Sequence, residues 1–167
     1  MRHLCKTLLL MAIGMFGLAC QAKAPKGALI YCSYACSGSA GLGKDYCELI
    51  ADPGTTPRIH VVLHEGNRFD DPVINVEYPV TTEDFKALQE WLKDNKVHRL
   101  DGYDLEEPIT GGYACRIHME YDSGEKISAR WYGHKVKDAA IAAYNYIESF
   151  FRPWCERAEK ENAPVEE

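Results

Sequence analysis

His60, His64, His118, His134 and Glu120 are the side chains whose types and spacing come nearest to chemistry in this sequence. His60 and His64 share one parity of the run Ile59-His-Val-Val-Leu-His64. His118 sits on the polar parity of a second run, two places before Glu120, and His134 follows a third. If those runs are neighbouring strands, three imidazoles converge beside a carboxylate, a donor set suited to zinc. Within one strand the spacing opposes it: residues i and i+4 stand about 13 Å apart at about 3.3 Å per residue. Histidines on a wet sheet face are otherwise solvated surface groups, and we assign no metal and no cofactor.

Nucleophiles and acids are weaker still. There is no Gly-x-Ser-x-Gly elbow, and neither Cys32 nor Cys36 has a histidine at a telling distance in sequence. Asp70-Asp71 and Glu106-Glu107 are adjacent acids in turn-like stretches, whereas glycoside chemistry holds its two carboxyls across a cleft. The stretch Ser37-Gly-Ser-Ala-Gly-Leu-Gly43 has the glycine spacing of a phosphate loop, but Gly43-Lys44 runs on into Asp45. Residues 46–50 then read as a strand, so no helix start presents N–H groups to a phosphate. No residue is assigned as catalytic.

The chain has 7 cysteines. Cys5 and Cys20 fall in an export leader, which leaves Cys32, Cys36, Cys47, Cys115 and Cys155. In an oxidising compartment the default use is disulfides, and an odd number leaves one thiol free in a monomer. Cys32 and Cys36, about 13 Å apart on an extended chain, cannot bridge each other. Cys36 with Cys47, closing the glycine-rich loop, is the favoured pair. Cys115 is either a free buried thiol or a partner of Cys32 or Cys155.

The elements that must position these groups follow from periodicity. Tyr113, Cys115, Ile117, Met119 and Tyr121 alternate with Ala114, Arg116, His118 and Glu120. After Asp122-Ser123-Gly124, the residues Ile127, Ala129 and Trp131 alternate with Ser128, Arg130 and Tyr132. Period-2 alternation across a turn, with Gly124 placed for positive φ, predicts a β-hairpin with one dry and one wet face. Residues 29–34, 46–50, 59–64 and 73–78 read as further strands. Thr81 is a good N-cap, Asp84 sits at its capping-box position and Phe85 can staple onto Val80, so a helix starts there and ends near Asn95. Its apolar stripe is Phe85, Leu88, Trp91 and Leu92. Residues 97–103 are expected to re-enter the sheet and 104–112 to form a loop. A second helix is predicted from about 136 to 152, stopping at Pro153. Ile141, Tyr144, Ile147 and Phe151 mark its stripe, widened by Ala140, Ala143 and Phe150. Strands, helix, strands, helix predicts an α+β domain: a single antiparallel β-sheet with two α-helices packed on one face.

The ends carry an address. Residues 1–20 combine a basic start with an apolar run too short to span a bilayer, which reads as a signal peptide. Gly17-Leu-Ala-Cys20 has the shape of a lipobox, making Cys20 the lipidation site; the alternative is ordinary cleavage near Ala22. Residues 21–27 form a tether, 28–155 a single domain and 156–167 a charged tail. About 147 residues remain after the leader, enough for one core. The formal net charge is -6, and losing Arg2 and Lys6 takes it to -8. An acidic domain with scattered basic residues is a poor fit to nucleic acid or to an anionic membrane patch. The expected location is the bacterial cell envelope, on the periplasmic side of the membrane, or secreted. The membrane is a partner only through a lipid on Cys20.

Leu100-Asp-Gly-Tyr103, Gly112-Tyr113, Tyr121-Asp-Ser-Gly124 and Ile127-Ser-Ala129 together resemble a family of uncharacterised bacterial lipoproteins and exported proteins. The resemblance covers about a third of the chain. It implies export and a helix, hairpin and closing helix, and it implies no activity.

Two function classes follow. The first is a binding module for an envelope protein or ligand, using the wet face: Arg116, His118, Glu120, Ser128, Arg130 and Tyr132. Mixed arginine and tyrosine is typical of contact surfaces. The second is a small hydrolase or metal-dependent enzyme on the same face, which would show as a cleft setting His or Cys against an acid. An exported inhibitor would show as a protruding loop at 104–112.

Overall fold

The computed structural model describes residues 23–37, 44–51, 54–64, 73–107 and 114–163. The leader with Cys20, the glycine-rich loop, Asp70-Asp71 and Gly112-Tyr113 lie outside the described residues.

The predicted hairpin is present as β6 (Ala114–Tyr121) and β7 (Lys126–Tyr132). Gly124 takes φ 88 in its turn, and Gly124 N–H donates to the Tyr121 carbonyl at 2.9 Å. Register pairs Cys115 with Trp131, Ile117 with Ala129 and Met119 with Ile127. All six are buried, so the alternation decided which face turned inward. Gly27 packs against this turn so closely that a Cβ there would collide with Asp122 and Ser123.

Four strands precede the hairpin: β1 (Leu29–Ser37), β2 (Lys44–Ile50), β3 (Arg58–His64) and β4 (Val73–Pro79). They form an antiparallel meander, and β1 also pairs antiparallel with β6. The sheet order is β4-β3-β2-β1-β6-β7-β5. β1 is therefore central, and Cys32, Ser33, Tyr34 and Ala35 are all buried although they alternate between faces.

Helix α1 (Thr82–Asp94) starts as expected: Asp84 N–H donates to Thr81 Oγ1, Thr81 N–H donates to Asp84, and Asn95 is the C-cap. Phe85, Leu88 and Leu92 are buried, while Trp91 stands at the margin and stacks on Tyr146 with ring centroids 3.7 Å apart.

Three expectations are corrected. The sheet is mixed rather than purely antiparallel, because the short edge strand β5 (Asp104–Glu106) runs parallel to β7. Residues 97–103 do not extend. Lys96 takes φ 55, and Val97–Leu100 winds into a 3₁₀ turn that buries Val97 and Leu100. Such a turn puts residues three apart on one side, so both reach the core before the chain meets the sheet edge. There Gly102 N–H donates to Ser128, Arg130 N–H to Tyr103 and Glu107 N–H to Tyr132. Part of the segment expected as loop is thus strand.

The third correction concerns α2 (Asp138–Asn162), which runs through Pro153 instead of stopping there. A helix-interior proline costs about 3 kcal/mol. Contacts beyond it offset that cost: Ala158 is fully buried, Trp154 packs on Phe150, and Tyr78 Oη donates to Glu161 at 2.8 Å. Residues 156–162 are thus helical, their charges on the exposed side. The buried stripe is Ala140, Ala143, Ile147, Phe151 and Ala158, and Ile141 is left 42% exposed. Phe151 meets Tyr34 at 5.3 Å and Tyr144 meets Trp131 at 6.0 Å between ring centroids.

Candidate functional site

The strand parity opposite the buried one carries the polar side chains. Arg116, Ser128 and Arg130 are exposed, and His118, Glu120 and Tyr132 half-buried, as the alternation of the hairpin predicted. The sheet order brings Tyr31, Ser33 and Ala35 of β1 beside them, then Tyr46 and Glu48 of β2, then His60 of β3.

The β2–β4 side of this face is a closed network. Tyr46 Oη donates to Glu48 at 2.6 Å, so Tyr31 Oη, 2.6 Å from Tyr46 Oη, donates to Tyr46. His60 Nδ1 lies 2.7 Å from the other Glu48 oxygen and Nε2 lies 2.7 Å from Asn75 Oδ1. Both ring nitrogens face acceptors, so the imidazolium is the form that satisfies both. Burial pulls His60 down, but its bonds to Glu48 and Asn75 outweigh this and raise it above its ordinary range. Burial pushes Glu48 up, and the bonds from Tyr46 and His60 outweigh it, so Glu48 sits below the usual carboxylate range. Burial and the bond to Glu48 raise the Tyr46 phenol.

The β6–β7 side is less balanced. Glu120 accepts from Lys126 at 2.7 Å and lies 3.0 Å from His118 Nε2; Arg130 Nε donates to Asp104 at 2.8 Å. Arg116 has no acidic partner among the described residues, and its direct cross-strand neighbour is Arg130. Like charges directly opposite on paired strands repel.

Between the two sides lies a trough of about 350 Å³. Ser33 and Ala35 form its floor because they are small residues on the central strand; Tyr31, Tyr46, His118 and Arg116 form its walls. Ser128 also borders it. A second concavity of about 380 Å³ opens where β6 and β7 meet β5, lined in part by Asp104, Glu106, Arg130 and Tyr132. The two share Ala35 and Arg116.

The histidine convergence that neighbouring strands would have allowed does not form among the described residues. His60, Glu48, Ser33 and His118 make one cross-strand row, which sets the two imidazoles three strands, about 14 Å, apart. His134 is exposed, and its backbone N–H donates to Glu107 at 2.6 Å. The His64 side chain lies outside the described residues. No group of three His, Cys, Asp or Glu among the described residues could hold a metal ion. Glu107 does mechanical work: it accepts from His134 and Lys135 N–H at the end of β7, and those bonds lower its carboxyl. Glu106 is exposed beside it.

The geometry does not bring the favoured Cys36–Cys47 pair together. The β1–β2 register puts Asp45 opposite Cys36 and Tyr34 opposite Cys47, so the two cysteines are diagonal neighbours about 7–8 Å apart. Cys36 instead meets Cys115, Sγ to Sγ 2.9 Å, and Cys47 meets Cys155 at 3.1 Å. Tyr31, Ser33, Ala35, Tyr46, Glu48 and Asn75 were missed as site residues. The signal existed in the parity of β1, where Tyr31, Ser33 and Ala35 alternate with Cys32, Tyr34 and Cys36.

A scan against protein-family models and a search of curated proteins found no match. No helix among the described residues is long and apolar enough to cross a membrane.

Proposed function

We propose that the protein is an exported binding module of the bacterial cell envelope, held at the membrane by a lipid on Cys20. In this reading both helices cover the apolar face of the sheet, and the polar face receives an oxyanion-bearing ligand at Arg116. The observation that carries it is the trough over Ser33 and Ala35, walled by a guanidinium without an acidic partner among the described residues. A carboxylate or phosphate there would relieve the opposition of Arg116 and Arg130 and take a bidentate bond from a planar fork. The rings of Tyr31 and Tyr46 would cover the ligand's apolar part, since amphipathic aromatics suit such contacts. Export draws on the leader and on the resemblance to exported lipoproteins. An enzyme on this face has less support: both nitrogens of His60 are engaged, and among the described residues no nucleophile stands beside it as a base requires.

The test is native mass spectrometry of protein gently extracted from the envelope. The expected result is an added ligand mass on the wild type and on Lys86→Glu, a control on exposed α1 surface, and its loss in Arg116→Glu. Retention by Arg116→Glu, or no added mass on the wild type, overturns the reading. A lipid-sized mass increment that vanishes in Cys20→Ser would support the anchor separately.

A further inference from the structure

The fold sorts Cys32, Cys36, Cys47, Cys115 and Cys155 into two couples and a remainder. Cys36 on β1 and Cys115 on β6 are direct register partners with their sulfurs 2.9 Å apart. Opposed residues of antiparallel strands have Cα atoms about 4.5–5.5 Å apart, within the span of about 4.4–6.8 Å that a disulfide needs. Cys47 on β2 meets Cys155 of α2 at 3.1 Å. Cys32 makes no sulfur contact among the described residues, although it is wholly buried beside them in sequence.

We propose that Cys36–Cys115 and Cys47–Cys155 are structural disulfides, formed by exchange with a disulfide oxidant, and that Cys32 stays a thiol. The exchange runs in two displacements per bridge. A thiolate at Cys36, the more exposed member of its couple, attacks one sulfur of the oxidant, forming a mixed disulfide and releasing one oxidant thiolate. Cys115 then attacks Cys36 Sγ, closing the bridge and releasing the second. Two electrons pass to the oxidant, and the two cysteine protons end on its thiols. Cys155 and Cys47 repeat the scheme, with Cys155 half-buried and Cys47 fully enclosed. Burial pushes the Cys32 thiol up to about 12, which leaves almost no thiolate to react.

The bridges sit where the fold has most to gain. The first ties the amino-terminal meander to the carboxyl-terminal hairpin at the β1–β6 seam. The second anchors α2 two residues beyond Pro153, on the part of the helix that the proline weakens. They span sequence separations of 79 and 108, both long loops. Three of the sulfurs belong to the apolar parity of the strands and the fourth to α2, so the pairing is independent of the ligand reading at Arg116.

The test is to unfold the full protein as isolated from its cells in denaturant without reductant, so that a buried thiol can react, alkylate it, digest it without reduction and sequence the peptides by mass spectrometry. The expected result is peptides linked 36 to 115 and 47 to 155, with Cys32 alkylated. A Cys36–Cys47 link, or alkylation of all four paired positions, overturns the proposal. Cys36→Ser and Cys155→Ser should each lose one link and keep the other, and Cys32→Ser should keep both. If a serine variant fails to fold, dithiothreitol on the wild type supplies the same readout: Tm should fall by on the order of 10 °C or more. A melting curve that the reductant does not move overturns it too.

Discussion

The two sides of the polar face solve the same problem in opposite ways. On β1 to β4, the phenols and the imidazole are matched to acceptors: Tyr31 on Tyr46, Tyr46 on Glu48, and His60 between Glu48 and Asn75. On β6 and β7, two guanidinium groups face each other, and among the described residues only Arg130 has an acid. A saturated network spends its hydrogen bonds on the fold and has little left for a ligand. An unbalanced one costs the fold a little and keeps its capacity for an incoming group. On the proposed reading, the difference separates structural polarity from recognition within a single sheet surface.

The largest effect should come from breaking the closed side. Glu48→Ala strands the Tyr46 hydroxyl and the His60 imidazolium in a half-buried setting, and it should cost about 2 kcal/mol in urea unfolding. A cost near zero would mean that the network is ornamental and the contrast unreal. The pH dependence of the same side sharpens this. His60 is raised when folded, so its contribution is whole below its unfolded value of 6.5 and is lost as pH rises through the folded value. Glu48 is lowered, so its contribution is whole above 4.5 and is lost as pH falls through its folded value. The stability gap between wild type and His60→Ala should therefore be widest between pH 4.5 and 6.5 and narrow on either side. A gap that keeps growing above neutral pH would contradict the imidazolium assignment.

On the open side the expected effects are smaller and of the other sign. Arg116→Ala removes one of two opposed charges, so it should leave stability within about 0.5 kcal/mol or raise it slightly. A loss of 2 kcal/mol would show that Arg116 belongs to the fold. Asp104→Asn should give the smallest change, visible only as a larger rise in Tm with added phosphate than the wild type shows, because Arg130 is then also uncompensated. Equal phosphate responses would remove Arg130 from the recognition surface.

Much of this was readable locally. The hairpin follows from alternation over 114–132, and its wet residues Arg116, His118, Glu120, Arg130 and Tyr132 share a face because strand parity permits nothing else. Helix α1 starts at Thr81 because the capping residues are three apart. Local rules failed where packing overruled them. Pro153 reads as a stop, yet the helix continues because Ala158 and Trp154 have a core to enter. Ile141 fits a helical stripe by spacing, yet α2 rotates to place Ala140 and Ala143 inward. The missed half of the site, Tyr46, Glu48 and Asn75, lies on strands whose neighbours no short-range pattern names.

The sequence by itself determined which side chains share a strand face and where α1 begins, because those outcomes depend on residues within four positions of one another. Tertiary structure alone decided that β1 lies between β2 and β6, that Cys36 meets Cys115, that β5 runs parallel to β7, and that Ser33 and Ala35 become the floor of a trough. Those outcomes rest on contacts between residues distant in the chain, and their register is set by burying the whole apolar face at once.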